Sequence, residues 1–315
     1  MAVVTDPVIS TVKLSKVYRS GIGMRLVSAL VDVTFDVGRG EIFGFLGPNG
    51  AGKTSLIKIL IGLARPTAGN ALVFGRQARD AQVKARVGFL PESPYFYEYL
   101  TATEFLRLSA GLAGVPGSEV AGRVNSLLKL VRMEASAGVQ MRGFSRGMLQ
   151  RIGIAQALVG DPELVILDEP MGGLDPVGRK EFRDIIVGLR DQGKTVFFST
   201  HILADVEMIC DRVGIIINGR MVNIGGLGDI LSDDVQAYEV TVTGLTGKFR
   251  KVLERVGDSA IRSGDALLVT VPDDAGVDRV MAIVREAGAR VQAIVPRKRT
   301  LEDHFMAHVG GKRGA

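Results

Sequence analysis

Gly47-Pro48-Asn49-Gly50-Ala51-Gly52-Lys53-Thr54 lies between two apolar runs. Glu41-Ile42-Phe43-Gly44-Phe45-Leu46 precedes it and reads as a strand, while Ser55 to Leu63 follows it and reads as a helix. The octapeptide fits G-x-x-x-x-G-K-[ST], and strand, loop and helix are the setting that pattern needs. Its glycines let the backbone curl so that successive N–H groups point inward at phosphate oxygens. The helix start adds unpaired donors and partial positive charge. Gly47, Pro48, Asn49, Gly50, Ala51, Gly52, Lys53 and Thr54, with Ser55 beyond them, are therefore the expected phosphate-binding set. Lys53 is expected to reach the β and γ phosphates, and the Thr54 hydroxyl to hold Mg²⁺.

Around this loop, short runs at Arg86–Leu90, Leu164–Asp168, Thr195–Ser199 and Arg212–Ile217 are β-branched and nearly continuous in apolar residues. Strands buried on both faces have that composition. Helical patterns separate them at Thr101–Leu112, Glu119–Val131, Arg146–Val159, Pro176–Arg190 and Ala204–Cys210. The alternation predicts an α/β fold, a parallel sheet wrapped in helices. Residues 8–46 instead alternate β-rich runs with turns, and Gly38-Arg39-Gly40 between Val27–Phe35 and Glu41–Leu46 signals a hairpin. A mostly helical stretch over about 93–140 is expected to form a subdomain. The pattern changes near Gly225-Gly226-Leu227-Gly228. Beyond it the order β-α-β-β-α-β, from Tyr238–Thr243 to Arg290–Val295, predicts a small ferredoxin-like domain over 236–308, with a disordered tail at 309–315.

Composition narrows the function classes. The 315 residues are 46% hydrophobic and 23% charged, as in globular proteins, and no apolar run reaches membrane-spanning length. The N-terminal residues lack the basic start and apolar centre of a signal peptide. A formal net charge of +5 suits a mixed solvated surface or an anionic inner leaflet better than a nucleic-acid footprint, so no nucleic-acid partner is expected. The single cysteine, Cys210, excludes an internal disulfide and reads as a buried small residue. His201, His304 and His308 show no metal-ligand spacing.

Two further motifs carry chemistry. Leu164-Val165-Ile166-Leu167 ends in Asp168-Glu169, so a buried strand delivers two carboxylates to a sheet edge. Asp168 can bind Mg²⁺ directly or through water, and Glu169 can polarise an attacking water. Phe144-Ser145-Arg146-Gly147-Met148-Leu149-Gln150-Arg151 is a helix start with Ser145 as N-cap. These motifs, followed by Ser199-Thr200-His201, stand in the order and spacing of one family. The chain resembles the nucleotide-binding subunits of ABC transporters over roughly residues 8–225. That resemblance implies a P-loop NTPase fold with an antiparallel β subdomain, a helical subdomain and ATP as ligand.

The resemblance also implies roles. Ser145 and Gly147 would contact the γ-phosphate of ATP bound to a second copy in a head-to-tail dimer. Phe144, Arg146 and Met148 depart from the family signature, usually written L-S-G-G-Q. Gly173-Leu174-Asp175-Pro176 resembles the D-loop, though Asp175 is also a good N-cap with Pro176 at the first helical position. His201 would meet the γ-phosphate, and Tyr18 would stack on adenine. Where the family has a glutamine, Leu90-Pro91-Glu92 places a carboxylate, which accepts from a metal-bound water but donates no amide proton. That substitution, the F-S-R-G-M signature and Thr300-Leu301-Glu302-Asp303 resemble the exporter-type branch, whose members pair with a separately encoded integral membrane permease. The resemblance places such a subunit at the cytoplasmic face of the inner membrane. The stretch Ser93-Pro94-Tyr95-Phe96-Tyr97-Glu98-Tyr99-Leu100 fits either core of the helical subdomain or an aromatic groove for a membrane-domain helix. DNA-organising ATPases of the same superfamily carry long coiled-coil insertions, whereas about ninety residues separate cradle and signature here. Ribosome-acting members usually hold two cassettes per chain, and this sequence holds one.

Overall fold

Ile42–Leu46, Leu164–Asp168 and Thr195–Thr200 are buried at every position. Side chains on both faces of these strands need cover, which only helices or a second sheet supply. The computed structural model describes residues 6–20, 25–230, 235–298 and 301. They fall into two compact units, divided between Leu227 and Gly228. The tail at 309–315, His304 and His308, and all of Thr300–Asp303 except the buried Leu301 lie outside the described residues.

In chain order the first unit runs β1 (Ile9–Ser20), β2 (Arg25–Val37), β3 (Ile42–Leu46), α1 (Lys53–Leu60), β4 (Ala68–Val73), β5 (Arg76–Gln77), α2 (Ala81–Lys84) and β6 (Val87–Leu90). It continues through α3 (Ala102–Leu112), α4 (Gly117–Leu130), α5 (Arg146–Leu158), β7 (Leu164–Asp168), α6 (Pro176–Asp191), β8 (Thr195–Thr200), α7 (Leu203–Ile209), β9 (Arg212–Ile217) and β10 (Arg220–Gly226). The central sheet has the order β10-β9-β3-β8-β7-β6, parallel except for β10. A second sheet, β2-β1-β4-β5, is antiparallel.

The expected hairpin at Gly38–Gly40 does not form. β2 belongs to the antiparallel sheet and β3 to the parallel one, so the turn carries the chain from one layer to the other. Two bonds hold this crossover: the Gly38 N–H donates to Glu41 Oε1 at 2.7 Å, and the Gly40 N–H donates to Thr195 Oγ1 at 2.9 Å. Glycine-flanked turns serve hairpins and layer crossings alike, and only the pairing of the flanking strands separates the two. The strands β4, β5 and β10 carry no strong apolar alternation and gave no signal of their own.

Between the two sheets, Phe35 of β2 stacks on Phe43 and Phe45 of β3 at ring-centroid distances of 5.5 and 5.8 Å, and on Phe197 of β8 at 6.2 Å. Phe43 and Phe197 lie 5.8 Å apart. All four belong to one core cluster with Leu56, Ile57 and Leu60 of α1. On the other face of β3, Gly44 lets α7 approach, since a methyl there would lie 2.6 Å from Cys210 Sγ. Burial holds the Cys210 thiol well above its ordinary pKa, with Asp211 and Asp205 adding to the effect.

The helical subdomain begins at a capping box. The Thr101 N–H donates to Glu104 Oε2 at 2.8 Å, and the Glu104 N–H donates to Thr101 Oγ1 at 3.2 Å. The Thr101 N–H and hydroxyl, both donating to Oε2, hold the Glu104 carboxyl below its ordinary pKa. The aromatic stretch before it is split by the fold. Phe96 is buried edge-on to Phe105 at 5.3 Å, whereas Tyr95, Tyr97 and Tyr99 are 87%, 45% and 67% exposed.

The second unit opens with the end of α8 (Leu227–Ile230) and contains β11 (Val235–Thr243), α9 (Gly247–Val256), β12 (Ser259–Ser263), β13 (Ala266–Val271), α10 (Asp274–Ala287) and β14 (Arg290–Lys298). Its antiparallel sheet has the order β12-β13-β11-β14, a split β-α-β arrangement. Leu253 of α9 with Val280 and Val284 of α10 covers Val240, Val242, Leu267, Val269 and Val271. The protein is thus an α/β chain with an antiparallel subdomain, a helical subdomain and a small α+β C-terminal unit.

The phenylalanine cluster generates a stability prediction. Phe197→Ala removes the ring shared by both sheets and is expected to lower the unfolding free energy by about 3–5 kcal/mol. Urea unfolding followed by tryptophan-free far-UV circular dichroism measures it, and a loss under about 1 kcal/mol contradicts the role given to the cluster.

Candidate functional site

Parallel pairing sets the level of every strand end. Leu46 stands opposite Thr200, Asp168 opposite Ser199, and Leu90 opposite Leu167. The loops leaving β3, β6, β7 and β8 therefore emerge at one edge of the sheet, where α/β proteins place ligands.

Residues 47–52 turn from β3 into α1. Gly52 is the N-cap of α1 at φ 110°, a left-handed conformation that costs glycine little, and a side chain there would collide with the carbonyl oxygen of Ala29. Gly47 packs against β9, where a methyl would lie 2.9 Å from Ile216 Cγ2 and closer still to the Ile216 carbonyl. No side chain caps α1 and no acid stands in its first turn, so its first amides and its dipole face the loop unopposed.

Lys53 is buried in the mouth of this loop. Its Nζ donates to Gly47 O at 2.6 Å and to Pro48 O at 3.1 Å, and it faces Glu169 Oε1 at 3.0 Å. The contact with Glu169 is an ion pair without hydrogen-bond alignment. Among the described residues Glu169 Oε1 is buried and accepts no hydrogen bond. The other carboxylate oxygen, Oε2, lies 2.9 Å from His201 Nδ1. A carboxylate oxygen only accepts, so Nδ1 carries the proton in this pair.

Ser199 holds both acids of the β7 end. Its Oγ donates to Asp168 Oδ1 at 2.6 Å and accepts the Glu169 N–H at 3.0 Å, while the Ser199 carbonyl accepts the same N–H at 3.2 Å. Glu169 itself is left-handed at φ 48°, an uncommon state for a side-chain-bearing residue. That turn redirects the chain where β7 stops.

A cavity of about 320 Å³ opens over the loop and gathers Asn49, Gly50, Gly52, Lys53, Thr54, Ser55, Glu92 and Glu169. Gly47, Pro48 and Ala51 back the loop from behind; the Ala51 carbonyl accepts the Gly219 N–H at 2.9 Å. Asp168, His201 and Tyr18 do not line this cavity. Asp168 is buried one residue behind Glu169, and His201 is 45% exposed beside it. Tyr18 stands opposite Val27 in the β1–β2 ladder, with Lys16 Nζ 4.8 Å from its ring centre. Val27, Ser28 and Ala29 of β2 complete the lining, and nothing in their sequence pattern announced it. Ser199 likewise had a legible position near the end of β8 but no legible role.

Ser145 and Gly147 lie elsewhere. Ser145 caps α5, accepting the Met148 N–H at 3.3 Å. Asp175 caps α6, accepting the Gly178 N–H at 2.7 Å, with Pro176 in the first turn. These two helix starts share a second cavity of about 530 Å³, which has no lining residue in common with the first. Gln150 ties α5 back to the segment that follows β7, its Nε2 donating to Pro170 O at 2.9 Å.

A glycine-turned loop between β3 and α1, a buried lysine and a carboxylate just past the end of β7 define a P-loop ATPase. The ABC transporter family model matches residues 30–172. An uncharacterized ABC transporter ATP-binding protein of Nostoc sp. (strain PCC 7120) is 42% identical over 308 residues, spanning 97% of this chain and 90% of that protein. The fluoroquinolones export ATP-binding protein of Mycobacterium tuberculosis is 41% identical over 197 residues, 62% of this chain and 64% of that protein. Among solved structures, the dimeric structure of MJ0796, a bacterial ABC transporter cassette, superposes with a TM-score of 0.64 at 25% identity, covering 70% of this chain and 98% of that one. The chain belongs to the ATP-binding subunits of ABC transporters, and it binds and hydrolyses ATP.

Ser199→Ala leaves Asp168 Oδ1 buried without this donor and releases one of the two bonds on the Glu169 amide. It is expected to cost about 1–3 kcal/mol of stability and to slow ATP turnover by about tenfold through loss of positioning. Urea unfolding and a phosphate-release assay measure both; unchanged turnover contradicts the positioning role of Ser199.

Proposed function

We propose that the protein is the ATPase subunit of an exporter and works as a head-to-tail dimer beneath a separately encoded permease. One observation carries the dimer. The phosphate loop and the Ser145 helix tip line different cavities, so a nucleotide held by both needs two copies. ATP then joins the subunits, and hydrolysis separates them in a hinge-type switch.

In this reading Lys53 and the amides of 47–54 hold the β and γ phosphates, with Ser55 following Thr54 into α1. Glu169 Oε1, buried and without a hydrogen bond, accepts a proton of the attacking water. Ser199 keeps that carboxylate in place. Meeting a phosphate oxygen takes a donated proton, so His201 either leaves Glu169 Oε2 or carries a second proton on Nε2. Ser145 and Gly147 of the second copy close the γ-phosphate side, and Tyr18 stacks on adenine.

The residues fit Mg²⁺. Thr54, Asp168 and Glu92 offer hard oxygen donors, and among the described residues no cluster of three or more His, Cys, Asp or Glu forms a protein-only cage. A cation held partly by phosphate oxygens suits such a set. When bound, Mg²⁺ neutralises charge developing on the phosphates. Glu92 adds a negative charge at the rim of this cavity.

Support for the membrane partner comes from three sides. No described helix is long and apolar enough to cross a membrane, and a separate permease would supply the spans. The mycobacterial relative is named for the export of fluoroquinolones. Tyr95, Tyr97 and Tyr99 stand exposed in adjoining ring contacts of 6.4 and 6.0 Å, a surface with apolar faces and polar tips of the kind enriched in interfaces. The permease holds the subunit at the cytoplasmic face of the membrane, and residues 236–308 form its accessory domain.

Two measurements test this. Glu169→Gln is expected to bind ATP and to run as a dimer on size exclusion, while the same variant with ADP runs as a monomer; a monomer at saturating ATP contradicts the dimer. Affinity capture from detergent-solubilised membranes is expected to recover a polytopic membrane protein, with recovery reduced at least about fivefold by serine at Tyr95, Tyr97 and Tyr99. Recovery of ribosomes or DNA with no polytopic protein favours a non-transport ATPase instead.

A further inference from the structure

Asp205 is a buried carboxylate that lines neither cavity and has no task in the site described above. It sits on α7, four residues along the chain from His201, and is 1% exposed. Its partner is Arg183 of α6, whose Nη1 donates to Oδ1 at 2.9 Å. Among the described residues Asp205 Oδ2 is buried and accepts no hydrogen bond. Half of the carboxylate is thus stripped of water with no bond in exchange. A buried pair of this kind adds little stability over two apolar side chains of similar volume, so stability does not account for it. What a directed charge pair supplies, and apolar packing does not, is one fixed relation between two elements.

The element held in this way is poorly fixed by its own sequence. α7 has seven residues, and its N-cap is Ile202, which offers no side-chain hydrogen bond to the first amides. A helix so short takes its orientation from tertiary contacts. Val206 and Cys210 pack it on Gly44 of β3, an apolar contact without direction. The Arg183–Asp205 pair adds the directional restraint. Only His201 and Ile202 lie between Thr200, the last residue of β8, and the start of α7. Thr200 is itself anchored: its carbonyl accepts the Gly47 N–H at 3.1 Å, and its Oγ1 accepts the Ile202 N–H at 3.0 Å. His201 therefore spans from a fixed strand end to a helix whose pose depends on Asp205, and its Nδ1 lies 2.9 Å from Glu169 Oε2. We infer that Arg183 and Asp205 are positioning residues for ATP turnover: their ion pair sets the pose of α7 and so holds the His201 ring against Glu169. The inference rests on the role proposed above for His201. A ring displaced by a fraction of its hydrogen-bond length loses its bond to Glu169 and its aim at the phosphate.

The test uses the full chain labelled with nitrogen-15 histidine. The sequence holds three histidines, and His201→Ala identifies the imidazole signal that belongs to His201. Asp205→Asn and Arg183→Gln are each expected to move the His201 Nδ1 signal toward the free-histidine value and to leave the other two in place. Steady-state phosphate release is expected to show kcat lowered at least about fivefold, with KM for ATP unchanged within about twofold. In the His201→Ala background either change is expected to alter kcat by less than about twofold, because the pair then has no ring to place. An unmoved Nδ1 signal, or a loss of kcat as large without the His201 ring as with it, overturns the inference and leaves the role of His201 standing. Full turnover by His201→Ala removes both. Arg183 is 18% exposed, so Arg183→Gln keeps the test decisive where Asp205→Asn fails to fold.

Discussion

The parallel pairing of β3, β8 and β7 decides the geometry of everything that follows. Their residues are apolar on both faces, so each strand is covered twice, by helices on one side and the antiparallel sheet on the other. Hydrogen-bonded register then sets Leu46 opposite Thr200 and Asp168 opposite Ser199. Three stretches distant in sequence thereby end within reach of one another. A slip of one residue in β7 would turn Asp168 to the other face and carry Glu169 away from Lys53.

On that frame the site is assembled by a few short contacts in low-dielectric surroundings. Lys53 is satisfied by the carbonyls of its own loop and paired with Glu169, and Glu169 is held in turn by Ser199 and His201. Buried charges persist only when paired and hydrogen-bonded, which accounts for how closely these four side chains interlock. Among the described residues Glu169 Oε1 is buried without a hydrogen bond, and in the proposed reading it is the atom that takes the proton of the attacking water. Ser145 lines a different cavity, in which Glu181 pairs with Arg132 and Arg151. The chain thus presents two separate cavities: one at a loop of amides with a lysine, and one at a helix tip with a serine.

Local motifs were legible because they obey short-range rules. The phosphate loop, the Ser145 and Asp175 caps and the buried strands each follow from spacing and residue type within a dozen residues. The turn at Gly38–Gly40 was misread because a hairpin and a layer crossing use the same glycines. The lining residues Val27, Ser28 and Ala29 left no trace, since they reach the cavity through the pairing of β2 with β1 and the packing of Ala29 against Gly52. The aromatic stretch at 95–99 divided between core and surface once Phe105 was in place to receive Phe96.

The amino-acid sequence alone determined the class of chemistry, because binding a polyphosphate demands glycines, a lysine and a hydroxyl at fixed spacing on one continuous loop. It also determined the layered α/β architecture and the two-helix, four-strand C-terminal unit, through the periods of their apolar residues. Only the tertiary structure decided which carboxylate faces Lys53 and that Ser199 holds Asp168 and Glu169 together. Those facts depend on distances between segments far apart in the chain, which are set by strand register and packing rather than by any local pattern.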